Sequence, residues 1–473
     1  MKRRLHKVFV SGGGISILVL VFGVVVSVAV GGMVMVAATQ YSGAIRTEAF
    51  EKSLEIAQAG VEYYRWHLAH NPSDYTDGTG GSGPYVHPVT DPYGNTAGTY
   101  SLTITPPSSG SSQIVVTSKG WLNSYPGITR SVTVKYGIPS LARFAFLQNA
   151  NVWFGGGATV NGKIFSNGGI RMDGTNASLV QSAKATYTCG SETGCSPAQT
   201  KPGVWGSGGP TNLWEFPVIP IDFNGIALDF AKMKDAAVAS GIFLPRVKSH
   251  GYHLVFTPDG KVTITRVNNA TAFRGWSVEK GCELLYQEVK TELPVGTYDL
   301  AGKQVIFSEN NVWVDGTVNG RVTVVAAVLP IDQFGNNIWI NKNLVYTSHD
   351  GSVALGLIAE NDIYFGLNVP QDFRVEAALL THKGKIIRHN YKYQSCNINS
   401  AGAVKQSLTI YGTVISGLKS YWTYGSGPNV GFGSEPTSGF RVRNVTQDLN
   451  LYKNPPPYFP SQGEPELVSW EER

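Results

Sequence analysis

The sequence predicts a mainly β protein with an N-terminal transmembrane and amphipathic α-helix, a small β-sheet and an irregular parallel β-helix (solenoid) with one short helix. Three observations predict this class. A charge-free apolar run covers residues 15–38, alternating strand-like runs follow residue 92, and short β runs separated by Asn and Gly begin near residue 145. Glycine (55 of 473 residues), 11% aromatic residues and only 15% charged residues are typical of a turn-rich β protein.

The N-terminal apolar run is long enough to cross a bilayer, whose hydrocarbon core is about 30 Å thick and needs about 20 apolar residues of helix. The basic leader is residues 1–14, the transmembrane helix is residues 15–38, and the cations of the leader are Lys2, Arg3, Arg4 and Lys7. By the positive-inside rule the N-terminus is cytoplasmic. We therefore expect a single-pass protein of the cell membrane whose bulk is extracytoplasmic. A secretory signal cut after Ala38 is the alternative, because small residues end the run.

The helix is expected to continue outside the membrane through residues 39–71. Its apolar residues alternate spacings of four and three, the period of an α-helix, and they are Phe50, Leu54, Ala57, Val61, Tyr64 and Leu68. Asn71 ends the pattern, because a residue before proline is pushed out of the helical region. The apolar face needs a cover, which is either a β-sheet of the same chain or neighbouring helices.

This layout resembles that of the type IV pilins, and most closely the PilX-type minor pilins. The shared features are the basic leader, the glycines at the membrane border, the single apolar helix and the stretch AQAGVEY at residues 57–63, which is similar to the AEAGxEYA stretch of that group. The resemblance implies that a prepilin peptidase removes the leader between Gly14 and Ile15, with Gly12 and Gly13 as rival sites.

The resemblance also implies what kind of subunit the chain is. Major pilins carry a glutamate at the fifth position of the mature helix, where this chain has Val19, and some minor pilins lack it as well. The implied role is that of a minor subunit in pilus assembly. The implied partners are the membrane, other pilin subunits through the N-terminal helix, and the prepilin peptidase.

Residues 72–140 are predicted to form a pilin-like β-sheet domain. A polar loop at residues 72–92 precedes runs that alternate with the period of a strand, and these runs are Gly98–Thr105, Gln113–Gly120 and Thr129–Tyr136. Such a sheet would cover the apolar face of the helix.

Residues 141–455 are predicted to form the β-solenoid. Asn151-Val152-Trp153 is echoed by Asn311-Val312-Trp313, and short strands with Asn and Gly corners indicate stacked coils. The spacing is uneven, so a two-sheet sandwich is the alternative. A helical segment at about residues 226–240 interrupts the pattern, and residues 456–473 form a C-terminal proline-rich tail.

The four cysteines fit an oxidising compartment. Cys189 and Cys195 enclose a short loop that could close as a local disulfide, and Cys282 and Cys396 would then form the second pair by elimination. Four cysteines allow three connectivities. A metal site is the alternative, but neither a CxxC motif nor clustered histidines accompany them. We therefore expect disulfides and no metal.

The sequence contains no catalytic motif such as HExxH, GxSxG or an EF-hand loop. A glycosidase would need a pair of carboxylates, and the only suggestive set is Asp332, Asp350 and Asp362, which turn formation explains more simply. We therefore expect no enzyme, no catalytic residue and no cofactor. The net charge of +5 forms no basic stripe, which argues against nucleic acid as a partner.

Together these observations predict a membrane-anchored, extracytoplasmic structural protein that resembles a type IV pilus minor pilin and is located in the membrane or at the pilus and cell surface. Its aromatic, Asn- and Gly-rich repeats suggest cell adhesion to a surface glycan or to a host or partner cell. The alternatives are a β-helix polysaccharide-degrading enzyme and a static cell-envelope scaffold protein.

Overall fold

The computed structural model describes residues 13–91, 93–107, 111, 113–224, 229–331, 335–425, 435–462 and 466–473. The basic leader up to residue 12, Asp332 and Leu228 lie outside these residues. The chain divides into two compact units. Unit 1 comprises Met1–Pro106, Ile114–Gly137 and Leu467–Arg473, and unit 2 comprises Pro107–Gln113 and Ile138–Glu466.

The helices are α1 (Gly13–His70), α2 (Asp229–Ala239) and α3 (Asn450–Lys453). The strands before α2 are β1 (Tyr85–Thr90), β2 (Thr96–Thr105), β3 (Gln113–Leu122), β4 (Thr129–Gly137), β5 (Phe146–Gln148), β6 (Val152–Phe154), β7 (Ala158–Asn161), β8 (Ile164–Ser166), β9 (Ile170–Met172), β10 (Thr175–Asn176), β11 (Val180–Ser182), β12 (Thr186–Cys189), β13 (Gln199–Pro202), β14 (Val204–Trp205) and β15 (Trp214–Glu215).

The strands after α2 are β16 (Ile242–Leu244), β17 (Gly251–Thr257), β18 (Lys261–Ser277), β19 (Gly281–Asp299), β20 (Val305–Ser308), β21 (Asn311–Val318), β22 (Arg321–Ala326), β23 (Ile338–Ile340), β24 (Leu344–Tyr346), β25 (Ala354–Ala359), β26 (Ile363–Phe365), β27 (Asp372–Thr381), β28 (Ile386–Ile387), β29 (Lys392–Tyr393), β30 (Ile398–Asn399), β31 (Val404–Ser416), β32 (Thr423–Tyr424), β33 (Ser438–Gln447) and β34 (Glu466–Glu472). This content confirms the predicted fold class.

In unit 1, the second half of α1 packs on a five-stranded sheet with the order β1-β2-β3-β4-β34. The buried apolar side chains of the helix are Ala49, Ile56, Ala57, Val61, Tyr64 and Leu68. Phe50 departs from the predicted apolar face: it is 45% exposed, and the guanidinium of Arg130 lies 4.1 Å from its ring centroid. A sheet of the same chain therefore covers the outer half of the helix.

Two strands of this sheet differ from the sequence interpretation. Residues 85–90 were expected in a polar loop, but they form β1, which pairs antiparallel with β2. Pro88 is tolerated there because β1 is an edge strand, and its side chains are alternately half-buried and exposed. The end of the predicted C-terminal tail forms β34, the opposite edge strand of the same sheet.

In unit 2, parallel strands stack into a ladder whose spatial order differs from the chain order. The ladder runs β16, β20, β22, β25, β27, β31, β5, β8, β11 and β15. The chain first joins the ladder in its middle, at β5, and adds coils toward one end, which is β15. The chain then continues at the other end of the ladder, where β16 begins the remaining coils. The last coils then return to β5, where Val414 pairs with Phe146. The parallel pairing supports the solenoid over the sandwich.

Other parallel ladders complete the coils and enclose one apolar interior. One ladder runs β17, β21, β24, β27, β31, β33, β7 and β10, and another runs β21, β23, β26 and β28. Interior side chains such as Val324, Leu357, Leu379 and Val414 are fully buried. The uneven sequence spacing reflects coils of unequal length, since Ile164 pairs with Val180 whereas Leu379 pairs with Val414.

The Asn-aromatic echoes of the sequence become ladders at one corner of the coils. The side-chain oxygen of Asn311 accepts a hydrogen bond from the backbone N–H of Asn337 (2.9 Å), and the side chain of Asn361 donates to that of Asn337 (2.9 Å). Trp313 is in register with Trp339, and Trp339 with Tyr364. Equivalent residues on successive coils thus hydrogen bond to one another through their asparagines and pack their aromatic rings in one cluster.

The outer side of the long ladder is apolar and is covered by two segments. Phe230, Met233 and Ala237 of α2 pack on it, together with Leu451 and Phe459 near the C-terminus. The segment with α2 joins β15 to β16, which lie at opposite ends of the ladder, so this connection crosses the ladder.

A long antiparallel hairpin, β18–β19, covers the aromatic corner and interrupts the parallel pattern predicted for residues 141–455. Its Val267 and Leu285 pack against Trp313, Trp339 and Tyr364. His253 of β17 joins the hairpin to the solenoid, because its Nδ1 lies 2.9 Å from Glu292 Oε2 of β19 and its Nε2 lies 2.9 Å from Asp315 Oδ2 of β21.

Gly120 lets β3 approach α1 closely. A Cβ atom at Gly120 would lie 2.4 Å from the backbone nitrogen of Ala57 and 2.5 Å from the backbone oxygen of Ser53, whereas a Cβ atom at Gly127 would meet nothing within 4 Å. We expect Gly120→Ala to lower the free energy of unfolding of unit 1 by about 1–3 kcal/mol. The control Gly127→Ala should change it by less than about 0.5 kcal/mol. Native-state hydrogen exchange of β2–β4 in the detergent-solubilised chain measures both, and equal effects would contradict this packing.

His253 should make the stability of unit 2 depend on pH. Burial alone lowers the pKa of His253, but the hydrogen bonds and charges of Asp315 and Glu292 outweigh it and raise that pKa above its usual value. The stabilisation is therefore present at acidic pH and is lost as the pH rises through the raised pKa. We expect the unfolding temperature of the wild type to fall with rising pH relative to that of His253→Gln. His70→Gln, at the exposed end of α1, is the control and should follow the wild type.

Candidate functional site

The first half of α1 has the character of a membrane segment. Among the described residues, it belongs to the one helix that is long and apolar enough to cross a bilayer. Its side chains are exposed, including Ile15, Leu18, Phe22, Val30, Met33 and Met35. The predicted peptidase site lies at the start of this helix, where Gly14 and Ile15 are exposed. A Cβ atom at Gly14 would meet nothing within 4 Å.

Unit 2 contains a cleft of about 750 Å³, which is within the range of roughly 300–1,000 Å³ for small-ligand sites. It is built from segments far apart in the sequence: the first coils near Phe146, the loop at Glu192, the hairpin end at Trp276, and the stretches around Tyr393 and Tyr421. It is therefore a product of the tertiary structure.

Aromatic side chains form the walls of this cleft. The rings of Trp276 and Tyr393 stack with centroids 4.4 Å apart and an interplanar angle of 21°. Tyr421 and Tyr424 lie nearly parallel, at 6.2 Å and 8°, and Trp422 contacts the interior side chain Phe146 with centroids 5.4 Å apart. The cleft thus offers flat apolar faces at its surface.

The charged side chains that line the cleft, among the described residues, are Lys392, Lys419, Arg443 and Glu192, a set with net positive charge. Lys419 is buried; its ammonium donates to the backbone oxygen of Glu192 and lies 4.9 Å from the centroid of the Tyr421 ring. Burial lowers the pKa of Lys419 to about 8, although the charges of Glu192 and Glu279 act in the opposite direction. Burial likewise lowers the pKa of Arg443 to about 10.

One polar group in the cleft is without a partner in the part of the chain that the structure describes. The hydroxyl oxygen of Tyr424 is buried and makes no hydrogen bond there, and burial raises the pKa of this phenol well above its usual value. A buried hydroxyl without a hydrogen bond is costly.

Both disulfides flank the cleft. Cys189–Cys195 closes the loop that contributes Ser191 and Glu192, and Cys282–Cys396 ties the hairpin to the turn that contributes Gln394 and Ser395. The two disulfides therefore fix two of the segments that line the cleft.

Arg171 anchors the first of these loops. Its guanidinium packs over the rings of Trp153 (4.5 Å) and Trp205 (4.8 Å) and donates to the backbone oxygens of Thr193 and Gly194, both at 3.1 Å. The loop is therefore held by a cation–π sandwich as well as by its disulfide.

The carboxylates considered for hydrolysis have separate structural contacts. Asp350 is exposed and accepts hydrogen bonds from the backbone and side chain of Ser352 in a turn. Asp362 is buried and binds the ammonium of Lys280 at 3.2 Å and the hydroxyl of Tyr364 at 2.7 Å. No group of metal-ligating side chains occurs among the residues described.

Sequence reasoning did not find the cleft residues. Two local signals could have drawn attention to them: the aromatic stretch Tyr421-Trp422-Thr423-Tyr424 and the pair Tyr391 and Tyr393, close to Cys396. Neither signal tells which side chains face a cleft, because that depends on how distant coils stack.

The two disulfides should differ in what they contribute to stability. They span 114 and 6 residues of sequence, and a longer closed loop restricts the unfolded chain more. We expect Cys282→Ser/Cys396→Ser to lower the free energy of unfolding of unit 2 by about 5 kcal/mol and Cys189→Ser/Cys195→Ser by about 2 kcal/mol. Urea unfolding of both variants without reductant measures the difference, and a larger loss for the short loop would contradict the expectation.

Comparisons with known proteins give few matches. No family model matches the chain, and no curated protein matches it. Among solved structures, the chain is similar to the competence-associated pilin ComZ from Thermus thermophilus, with 14% sequence identity, a TM-score of 0.35, and coverage of 90% of this chain and 97% of that chain. A likeness at this identity and TM-score carries no argument about function.

Proposed function

We propose that this chain is a membrane-anchored minor pilin of the PilX type that takes part in the assembly of a type IV pilus. The observation that carries the proposal is the division of α1 between two environments. Side chains from Ile15 to Met35 have no cover in unit 1, while the buried apolar side chains between Ala49 and Leu68 pack on its sheet. Such a helix can reside in the bilayer and later pack among the helices of other subunits.

The sequence around this helix supports the same proposal. A basic leader and glycines precede the apolar run, and the stretch AQAGVEY at residues 57–63 is similar to that of the PilX-type group. Gly60 in this stretch serves the packing in unit 1, because a Cβ atom there would lie 2.3 Å from the hydroxyl oxygen of Ser118. The proposed partners are a prepilin peptidase and other pilin subunits, and the N-terminus is cytoplasmic.

We assign unit 2 a role in adhesion and not in catalysis. Its aromatic cleft is the observation that favours binding. In support of this assignment, Asp350 accepts hydrogen bonds in a turn and Asp362 forms an ion pair with Lys280. A surface glycan, or a host or partner cell that carries one, is the proposed target.

Leader processing tests the pilin proposal. When the full chain is co-expressed with a prepilin peptidase, we expect a mature N-terminus at Ile15, determined by N-terminal sequencing and intact mass. Gly14→Val should abolish the cut, whereas Gly43→Val should leave it unchanged. Both glycines lie on α1 with open space around a Cβ atom, so a difference between the variants reports the peptidase and not folding.

Two other N-termini would contradict the pilin proposal. An intact Met1 in the presence of active peptidase would indicate a static anchor in the envelope, and a mature Thr39 would indicate a secretory signal. A chain that is cut at Ile15 but never found in sheared pilus fractions would contradict entry into a filament.

A further inference from the structure

We propose that the cleft of unit 2 binds an acidic saccharide, a short sugar chain carrying carboxylate groups, and that Lys419 provides the cation that pairs with a ligand carboxylate. This inference names the ligand class for the proposed adhesion role. It depends on that proposed role only in placing the ligand outside the cell. It does not depend on the leader being cut.

The charge of the cleft favours an anion. The contacts of the Lys419 ammonium are a backbone carbonyl and the Tyr421 ring. Glu192 and Glu279 act on it through their charges, but neither forms an ion pair with it among the described residues. A buried cation that lacks a carboxylate partner is expensive, and the penalty is recovered only when a counter-charge arrives in good geometry. A ligand carboxylate would supply that charge through a short charge-assisted hydrogen bond.

The shape and the other side chains favour a sugar. A sugar ring has an apolar C–H face and a rim of hydroxyl groups that both donate and accept. Trp276 and Tyr393 stack on each other and both line the cleft, so a sugar ring would pack on a face that the pair leaves free. Amide and hydroxyl side chains, which both donate and accept, also line the cleft, and those exposed there are Gln394 and Ser395.

The same aromatic faces could in principle stack nucleobases, but the charge distribution favours the saccharide. A protein that follows a nucleic-acid backbone uses an extended positive groove. Here three cations line the cleft, and Glu192 lies among them. One or two carboxylates on a short chain match this arrangement better than a run of phosphates.

Binding to the full-length chain in detergent tests the inference. Tri-galacturonic acid and its uncharged counterpart galactotriose are titrated by calorimetry, and a printed panel of uronic-acid, sialylated and neutral saccharides extends the range. We expect tri-galacturonic acid or another acidic member of the panel to bind about tenfold or more tightly than its neutral counterpart.

Variants separate binding from folding. Lys419→Met removes the charge but keeps a stem of similar size, so the unfolding temperature should stay the same or rise, while affinity for the acidic saccharide falls about tenfold or more. Trp276→Ala should weaken both acidic and neutral saccharides. The matched controls are Lys261→Met, an exposed cation of unit 2, and Trp66→Ala, an exposed tryptophan of unit 1; neither should change binding.

Four results would contradict the proposed binding of an acidic saccharide. No binding across the acidic panel, equal affinity for neutral saccharides, an unchanged affinity in Lys419→Met, or tighter binding of an oligothymidylate would each overturn the inference. The same preparations report leader processing. A mature Ile15 without saccharide binding removes only the ligand assignment, whereas binding by an unprocessed chain removes only the pilin assignment.

Discussion

Each strand of the long ladder has an inner and an outer face, and both faces carry apolar side chains that must be buried. This requirement determines how unit 2 is arranged. The inner sides close around one apolar core. The outer side of the long ladder is also apolar and carries α2 and the C-terminal segment, while the aromatic corner carries the hairpin β18–β19. The cleft lies where this hairpin ends: Trp276 and Val278 form its edge, and beyond them the aromatic side chains of the coils are reached by solvent.

The need to bury apolar side chains applies to α1 as well. One continuous helix of 58 residues has two kinds of surface. Its second half packs its apolar face on a sheet of the same unit, while its first half exposes apolar side chains all round. A helix that is apolar on every side is stable in lipid or among other helices. The proposed assembly role therefore belongs to α1 and the proposed ligand binding to the cleft of unit 2, so the two can be altered separately.

Local patterns were predictable wherever one short segment decides the outcome. The apolar helix, the strands β2–β4 and the Asn and aromatic corners follow from periods of 3.6 and 2 and from turn chemistry. The edge strand β1 was missed, because only half of its side chains are partly buried and Pro88 argues against a strand. The hairpin β18–β19 was not predicted either, because its own sequence does not indicate which surface it packs on.

Local sequence specifies the mainly β class, the long N-terminal helix and the positions of the cysteines, the Asn corners and the interior apolar residues. The spatial order of the coils, in which β31 pairs with β5, and the assembly of the cleft are seen only in the folded chain. The physical reason is that interior Val, Ile and Leu residues are interchangeable between coils, so local sequence does not specify which coil stacks on which. Lys419, Trp276 and Glu192 meet only because that stacking, and the two disulfides beside it, bring distant segments together.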